Sequence, residues 1–194
     1  MAGLTKRAQQ ALETKHAIFT CALELFAHEP YEQITVKDIC DAAGVSIGAF
    51  YHHFGSKGDL LDEGYRLFDE QIEQIWTTRA TAGPIDDIHL LVRQQMESME
   101  QMGDFAAAQY FKNQLSVEHD YMLDSHRAFS VHLEESLRAC VDMGVLTGSP
   151  AQIVEEILCV ARGTIYDWCL HAGSYRLAER ALSLVDMVLE HYAA

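Results

Sequence analysis

The chain contains few helix-breaking residues and no pattern typical of a membrane-spanning or secreted protein. Only three of its 194 residues are proline. No apolar run approaches the roughly 20 residues of a transmembrane helix. The first residues, with Lys6 and Arg7 before a mixed amphipathic segment, lack the apolar stretch of a signal peptide. These absences predict a helical protein that resides in the cytoplasm and has no membrane partner.

Cysteine is also scarce, and its spacing does not suggest a disulfide framework. The five cysteines are an odd number, are widely spread and form no C-x-x-C pair. They lie within apolar helical patterns, where a thiol behaves as a small hydrophobic side chain. We therefore predict that all five are reduced core residues: Cys21, Cys40, Cys140, Cys159 and Cys169.

Signatures of catalysis are missing as well. There is no P-loop, nucleophile elbow or dinucleotide-binding glycine motif. A di-iron helical bundle needs two Glu-x-x-His motifs, and the sequence has one, from Glu13 to His16. His119, His126 and His132 are spaced too widely for a compact ligand set. We expect no enzyme, no catalytic residue, no metal and no cofactor, with a metal-binding helical enzyme kept as an alternative.

The most informative segment is residues 34–57, which reads as two short helices joined by a glycine turn. Thr35 is a helix N-cap, and Asp38 places a carboxylate in the first turn, where the helix dipole favours it. Gly44 supplies the left-handed conformation that ends this helix, and Ser46 caps the next. A third helix is predicted to begin at Ser56. This arrangement predicts a DNA-reading helix-turn-helix.

The run AGVSIGAFYHHFGSKGDLL, preceded by ITVKDI, resembles the DNA-binding domain of the tetracycline-repressor (TetR/AcrR) family of bacterial transcription regulators. The resemblance covers the first quarter to third of the chain and implies a regulator, usually a repressor, that acts as a homodimer. It implies base contacts in the major groove at the start of the second helix and phosphate contacts around it. The DNA-binding residues so implied are Thr35, Lys37, Ser46, Ile47, Gly48, Ala49, Tyr51, His52, His53 and Lys57.

Positive charge is low for a DNA-binding protein, since the net charge is -15. Residues 1–58 carry five lysines and arginines against six acidic residues, whereas residues 59–194 carry nine against 23. The acidity therefore belongs to the second part of the chain. DNA responds to charges within about 8 Å at physiological salt, so a nearly neutral head can still bind it. We predict that DNA binding weakens steeply as salt increases.

The remainder of the chain predicts further helices, over 56–78, 84–102, 104–115, about 121–143, 151–170 and 175–191. The fold class is therefore all-α, with about nine helices: a three-helix DNA-binding domain over residues 1–58 and a helical effector-binding and dimerisation bundle over residues 59–194. The helix that begins at Ser56 would connect the two domains as a lever.

The last two predicted helices carry apolar stripes wider than one contact face requires. A second subunit would cover the excess, and the family resemblance implies a four-helix dimer interface there. Two recognition helices about 34 Å apart would then read a pseudo-palindromic operator. The predicted interface residues are Ile157, Ala161, Ile165, Leu182, Val185, Val188 and Leu189.

The middle helices are rich in methionine and aromatic residues, with a few polar side chains among them. Such a set lines a small-molecule pocket or is ordinary core, and we predict a pocket for an effector of unknown identity. Its predicted lining is Met99, Tyr110, Asn113, Met122, His126, Phe129, Arg162 and Trp168. The alternative is a DNA-binding dimer that responds to no effector, whose core would be filled.

Overall fold

Nine α-helices and one short 3-10 turn lie within residues 6–114 and 123–194, the part of the chain that this computed structural model describes. No strand occurs in these two ranges, which confirms the all-α prediction; an isolated bridge joins Leu146 and Ala193. The helices are α1 (Lys6–His28), α2 (Val36–Ala43), α3 (Ile47–His53), α4 (Asp59–Thr78), α5 (Pro84–Met102), α6 (Asp104–Gln114), α7 (Ala128–Asp142), α8 (Pro150–Leu170) and α9 (Leu177–His191).

Three predicted helix starts are wrong. Ser56 and Asp59 bind each other, with 2.5 Å between Ser56 Oγ and Asp59 Oδ1, but residues 56–58 form a turn and α4 begins only at Asp59. The last helix begins at Leu177, two residues later than predicted. The predicted long helix before Gly144 is interrupted: Leu123 is helical, residues 124–127 are not, and α7 begins at Ala128. Its predicted lead-in, Ser116 to Asp120, lies outside the described residues.

A side chain explains why α7 starts late. The Asp124 carboxylate accepts a hydrogen bond from the backbone N–H of His126 at 2.9 Å. Such a short-range bond stabilises a turn in competition with the helix. The backbone of Arg127 is then extended, and the helix follows it.

Two hydrophobic cores lie at opposite ends of α4. The head core joins α1, α2 and α3 and includes Ile18, Ile39 and Phe50, each fully buried. The body core is built from α4 to α9. Leu60, near the start of α4, belongs to the head core, whereas Ile72 belongs to the body core. The two cores support our proposal of a domain boundary near residue 58, with α4 as the shared element.

The thiols are free where the structure describes them, but they are not all core residues. Cys40 and Cys140 are buried, and Cys21 and Cys169 are half-buried. Cys159 is exposed on α8, which corrects the prediction that all five lie in the core. None of the described helices is long and apolar enough to cross a membrane.

Candidate nucleic-acid interface and cavities

The ends of α2 are fixed by its own sequence. Thr35 and Asp38 form a capping box: Thr35 Oγ1 accepts from the Asp38 amide at 3.2 Å, and the Asp38 carboxylate accepts from the Thr35 amide at 2.8 Å. The Thr35 hydroxyl also donates to the Asp38 carboxylate at 2.6 Å, and this bond, followed by that from the Thr35 amide, lowers the pKa of the Asp38 carboxyl below its usual value. Gly44 ends the helix at a φ of 66°, a conformation that favours glycine. The turn therefore sets the angle between α2 and α3.

Helix α3 presents an outward face of side chains beside a buried anchor. Ser46 Oγ accepts from the Ala49 amide at 3.1 Å and starts the helix. Phe50 is fully buried, whereas Ile47 and Tyr51 are 48% and 56% exposed. Tyr51 is therefore not a core aromatic. An added Cβ at Gly48 would come no nearer than 3.8 Å to its closest neighbour, the Ser46 hydroxyl, so the backbone there is open to a close approach.

Most of the predicted DNA-binding residues share this outer surface. Lys37 is exposed and pairs with Asp41 across one helical turn at 2.5 Å. The rings of His52 and His53 are 5.0 Å apart. Burial, then the neighbouring His52 and Lys15, lowers the pKa of His53 below its usual value. All ten residues of the predicted set are exposed or half-buried: Thr35, Lys37, Ser46, Ile47, Gly48, Ala49, Tyr51, His52, His53 and Lys57.

Lys57 differs from the others because its ammonium group is already engaged. Lys57 Nζ donates to the Ile34 carbonyl at 2.7 Å and also to the Tyr31 carbonyl. It lies 3.8 Å from the centre of the Tyr31 ring, and burial lowers its pKa. The sequence offered no signal for this contact, because Lys57 lies 23 positions after Ile34 and 26 after Tyr31. Lys57 therefore ties the start of α4 to the turn before α2.

Two of the eight predicted effector residues line a cavity of about 250 Å³, here called the body cavity. Its walls come from α1, α4, α5 and α6, and they include Met99 and Tyr110 together with Tyr65, Phe68 and Gln95. The rings of Tyr65 and Tyr110 are 5.2 Å apart, and burial raises the pKa of Tyr110 well above its usual value. The contribution of α4 was missed because its apolar residues were interpreted only as packing of a connecting helix.

A smaller recess of about 50 Å³ adjoins the body cavity and holds two more predicted residues, Phe129 and Arg162. Arg127 lines both spaces. Its guanidinium binds the Asp69 carboxylate through two hydrogen bonds, of 2.9 and 3.2 Å, and lies over the Tyr65 ring. This paired charge closes the inner end of the cavity.

The other predicted effector residues do not join this set. His126 is exposed and bound to Asp124, because the turn before α7 points it outward. Trp168 is buried in the body core, where its indole N–H donates to the Tyr175 carbonyl at 2.9 Å. The Asn113 side chain and Met122 lie outside the described residues.

The predicted dimer residues lie mostly inside the monomer. Ile157, Ala161, Ile165, Val185 and Leu189 are buried in the body core, and Leu182 and Val188 are half-buried against it. The outer faces of the same helices remain apolar: Tyr166, Leu170 and Met187 are each at least 60% exposed. A groove between α8 and α9 is lined by Val160, Gly163, Leu184, Met187 and Val188, among others. We therefore propose this outer surface, which includes Val188 of the predicted set, as the candidate interface.

The described residues contain no group of three histidine, cysteine or acidic side chains placed to hold a metal ion. The described residues form a helix-turn-helix head and a helical body with cavities. Residues 18–63 match the model of the family described as bacterial regulatory proteins, tetR family. This match, together with the relatives described next, supports a regulator of the TetR/AcrR family.

Relatives and solved structures agree over nearly the whole chain. The chain is 27% identical to the "Probable acrEF/envCD operon repressor" of Escherichia coli strain K12, covering 99% of this chain and 91% of that protein. It is 24% identical to the "HTH-type transcriptional regulator AcrR" of Shigella flexneri, covering 96% and 93%. The crystal structure of FadR from Bacillus subtilis in complex with stearoyl-CoA has the same fold, with a TM-score of 0.74 at 19% identity and coverage of 90% and 97%.

Proposed function

We propose that this regulator binds a pseudo-palindromic DNA operator as a homodimer and represses transcription until a small molecule binds its body. The observation that carries the proposal is the outer face of α2 and α3. A capped helix with a buried Phe50 holds Ile47, Gly48 and Tyr51 outward on a rigid base. An exposed helix start of this kind fits the major groove, where side chains meet base edges.

Specific contacts follow from the chemistry of each exposed residue. Ile47 is apolar, so it suits the methyl group of thymine and cannot pair with guanine. The hydroxyl of Tyr51, the imidazoles of His52 and His53 and the ammonium of Lys37 suit phosphate oxygens. Thr35 and Ser46 use their hydroxyls as helix caps, so their role is to position the reading face.

One three-helix head would bury too little surface against DNA for tight binding. Dimerisation supports the same function because it brings a second head to the operator. The apolar outer surface of α8 and α9, with Val160, Gly163, Leu184 and Met187, is the surface we assign to the second subunit. Gly163 is exposed, and an added Cβ there would contact nothing within 4 Å, so a partner helix can approach closely. Two heads joined in this way would read two half-sites about one DNA turn apart.

Effector response is supported by the cavities. The body cavity and its recess are lined by apolar and aromatic side chains with a few polar groups, which is typical of ligand sites. The FadR structure is described as a complex with stearoyl-CoA, and ligand binding by a protein of this fold is consistent with our proposal. A ligand that favours one arrangement of the body would shift the equilibrium away from the DNA-binding form.

Binding to DNA from the region upstream of the protein's own gene tests this function. The protein is titrated into a labelled upstream duplex and into a scrambled duplex of equal length, and anisotropy is recorded. We expect saturable binding to the first only, lost in Tyr51→Ala and kept in Phe105→Ala. Phe105 is an exposed aromatic residue of the body and serves as the matched control. Equal affinity for both duplexes, or full binding by Tyr51→Ala, would contradict the proposal.

A further inference from the structure

A second cavity lies where the head meets the body. It has a volume of about 390 Å³ and is here called the seam cavity. One wall is α1 of the head, with Leu23, Phe26 and Ala27, and the other is formed by α5 and α6, with Ala106 and Gln109 among its residues. Neither the predicted effector set nor the body core includes the α1 wall.

The seam cavity and the body cavity are adjacent and share part of their lining. Five residues belong to both: Leu23, Ser98, Gln101, Met102 and Tyr110. Their volumes of about 390 and 250 Å³ together fall within the range of roughly 300–1,000 Å³ that is usual for small-molecule sites. An elongated ligand can therefore occupy both spaces, with Tyr110 between its two ends.

Charge in these walls does not favour an ionic ligand. Of the residues that line the two cavities, only Glu24 and Arg127 carry a full charge. Glu24 is exposed on α1 and would repel an anion. Arg127 is already paired with Asp69 through two hydrogen bonds. Arg162 lines only the adjoining recess of about 50 Å³ and neither of these two cavities. An acidic ligand held in the two cavities would therefore lose its hydration and find no uncompensated cation there in return.

Two polar atoms in the walls nevertheless need a partner. Gln95 Oε1 in the body cavity and Gln109 Oε1 in the seam cavity are buried, and neither accepts a hydrogen bond from any described residue. A carboxamide both donates and accepts, so its partner is a neutral hydroxyl, amide or carbonyl group whichever way the amide is oriented. Buried polar groups of this kind are normally satisfied.

We propose that the effector is an uncharged, elongated and mostly apolar molecule with a hydroxyl or carbonyl group, and that it binds across the seam, in contact with α1. This inference rests on the proposed function and adds to it the ligand class and the direct participation of the head. Gln109 hydrogen bonds the polar group in the seam cavity, and Gln95 offers a second such site in the body cavity.

A ligand in the seam cavity would lie close to the contacts that hold the DNA-reading surface in place. Phe26 lines the seam cavity and also belongs to the head core. Its ring centre is 5.1 Å from that of Tyr31, whose carbonyl accepts from Lys57. The Lys112–Glu32 ion pair, at 2.7 Å, crosses the same seam. A ligand that separates α1 from α6 therefore displaces the head itself, without first rearranging the body.

Dye displacement tests the ligand class. The neutral fluorescent probe N-phenyl-1-naphthylamine is bound to the full-length protein and displaced by decan-1-ol, decanoate or decylammonium. We expect decan-1-ol to displace the dye at a concentration at least tenfold lower than either charged analogue. Gln109→Leu should raise the concentration of decan-1-ol required, after correction for the affinity of that variant for the dye. Displacement by decanoate or decylammonium as readily as by decan-1-ol would overturn the ligand class.

Filling the seam tests the location. Ala27→Phe places a ring in the seam cavity, and Thr20→Phe adds the same ring to an exposed position of the same helix as a control. We expect decan-1-ol to release upstream DNA from the wild type and from Thr20→Phe but not from Ala27→Phe. Release from Ala27→Phe as well would place the effector in the body cavity alone and overturn the seam site. Failure of every variant to bind DNA would instead count against the proposed function. In that case the effect of Gln109→Leu on dye displacement would still decide the site, because Gln109 lines only the seam cavity.

Discussion

At the scale of single residues, the head uses polar side chains in two different ways. Thr35, Ser46 and Lys57 are engaged with backbone groups and hold the turns in place. Lys37 and Tyr51 are exposed and have no comparable structural contact with the backbone. Substitution of the first set should therefore change stability as well as DNA binding, whereas substitution of the second set should change DNA binding alone.

Lys57→Met separates these two roles. The change keeps the alkyl chain but removes the ammonium that binds the carbonyls of Tyr31 and Ile34. Loss of such charge-assisted hydrogen bonds should lower the free energy of unfolding by about 1–2 kcal/mol. Lys37→Met is the matched control, because its ion pair with Asp41 is exposed to solvent and adds little to stability. Urea unfolding followed by circular dichroism measures the free energy of unfolding of both variants. If Lys57→Met is as stable as the wild type, Lys57 has no structural role and contributes only a phosphate contact.

His53 should make DNA binding depend on pH. Its pKa is lowered in the free protein, chiefly by burial, so the imidazole is neutral near pH 7. A DNA phosphate favours the protonated ring, so binding takes up a proton and affinity should rise as pH falls from about 8 to 6. A rise of one unit in the pKa on binding corresponds to about tenfold in affinity. Affinity measured across this range should lose most of its slope in His53→Gln and keep it in His16→Gln, an exposed histidine of α1.

The same shift has the opposite effect on folding. Because the pKa of His53 is lower in the folded head than the usual value of about 6.5, the unfolded chain binds the proton first. Its contribution to stability is therefore complete above about pH 6.5 and is lost as pH falls toward the folded pKa. Affinity must be compared only where thermal unfolding shows that the head remains folded.

At the scale of helices, most of the predicted interface residues face the body core, and the dimer surface that we propose is the outer face of α8 and α9. Met187→Asp places a charge in the outer groove between α8 and α9 and should convert the dimer to a monomer. Met143→Asp is the matched control, since Met143 is 66% exposed and Met187 is 63% exposed. Sedimentation equilibrium gives the mass of each variant. An unchanged dimer in Met187→Asp would exclude this groove from the interface.

The reason for the difference lies in the composition of α8. Ile157, Ala161 and Ile165 are apolar and face the body core, and Tyr166 and Leu170 are aromatic or apolar and face outward. A helix that is apolar on nearly all sides has no periodic signal that distinguishes its inner from its outer stripe. The head was predictable because Thr35, Gly44 and Ser46 each require one local conformation. The effector cavity was only partly predictable because its walls bring α1, α4 and α5 together, which local patterns do not record.

At the scale of the whole molecule, the fold separates charge as well as function. The head is nearly neutral, and the body carries almost all of the net charge of -15. The body therefore repels the DNA that the head approaches, and salt screens this repulsion at the same time as it weakens the phosphate contacts. The salt dependence of the wild-type protein alone mixes the two effects.

Comparison of matched charge variants isolates the phosphate contacts. Lys37→Gln removes an exposed cation of the head, and Arg138→Gln removes an exposed cation of the body that is paired with Glu134. Both raise the net negative charge by one, so the long-range repulsion changes by a similar amount. Only a lost phosphate contact lowers the steepness of log affinity against log salt, by about one unit. We expect that reduction in Lys37→Gln and not in Arg138→Gln, measured by anisotropy between about 50 and 200 mM salt; equal slopes would mean that Lys37 acts only through the overall charge.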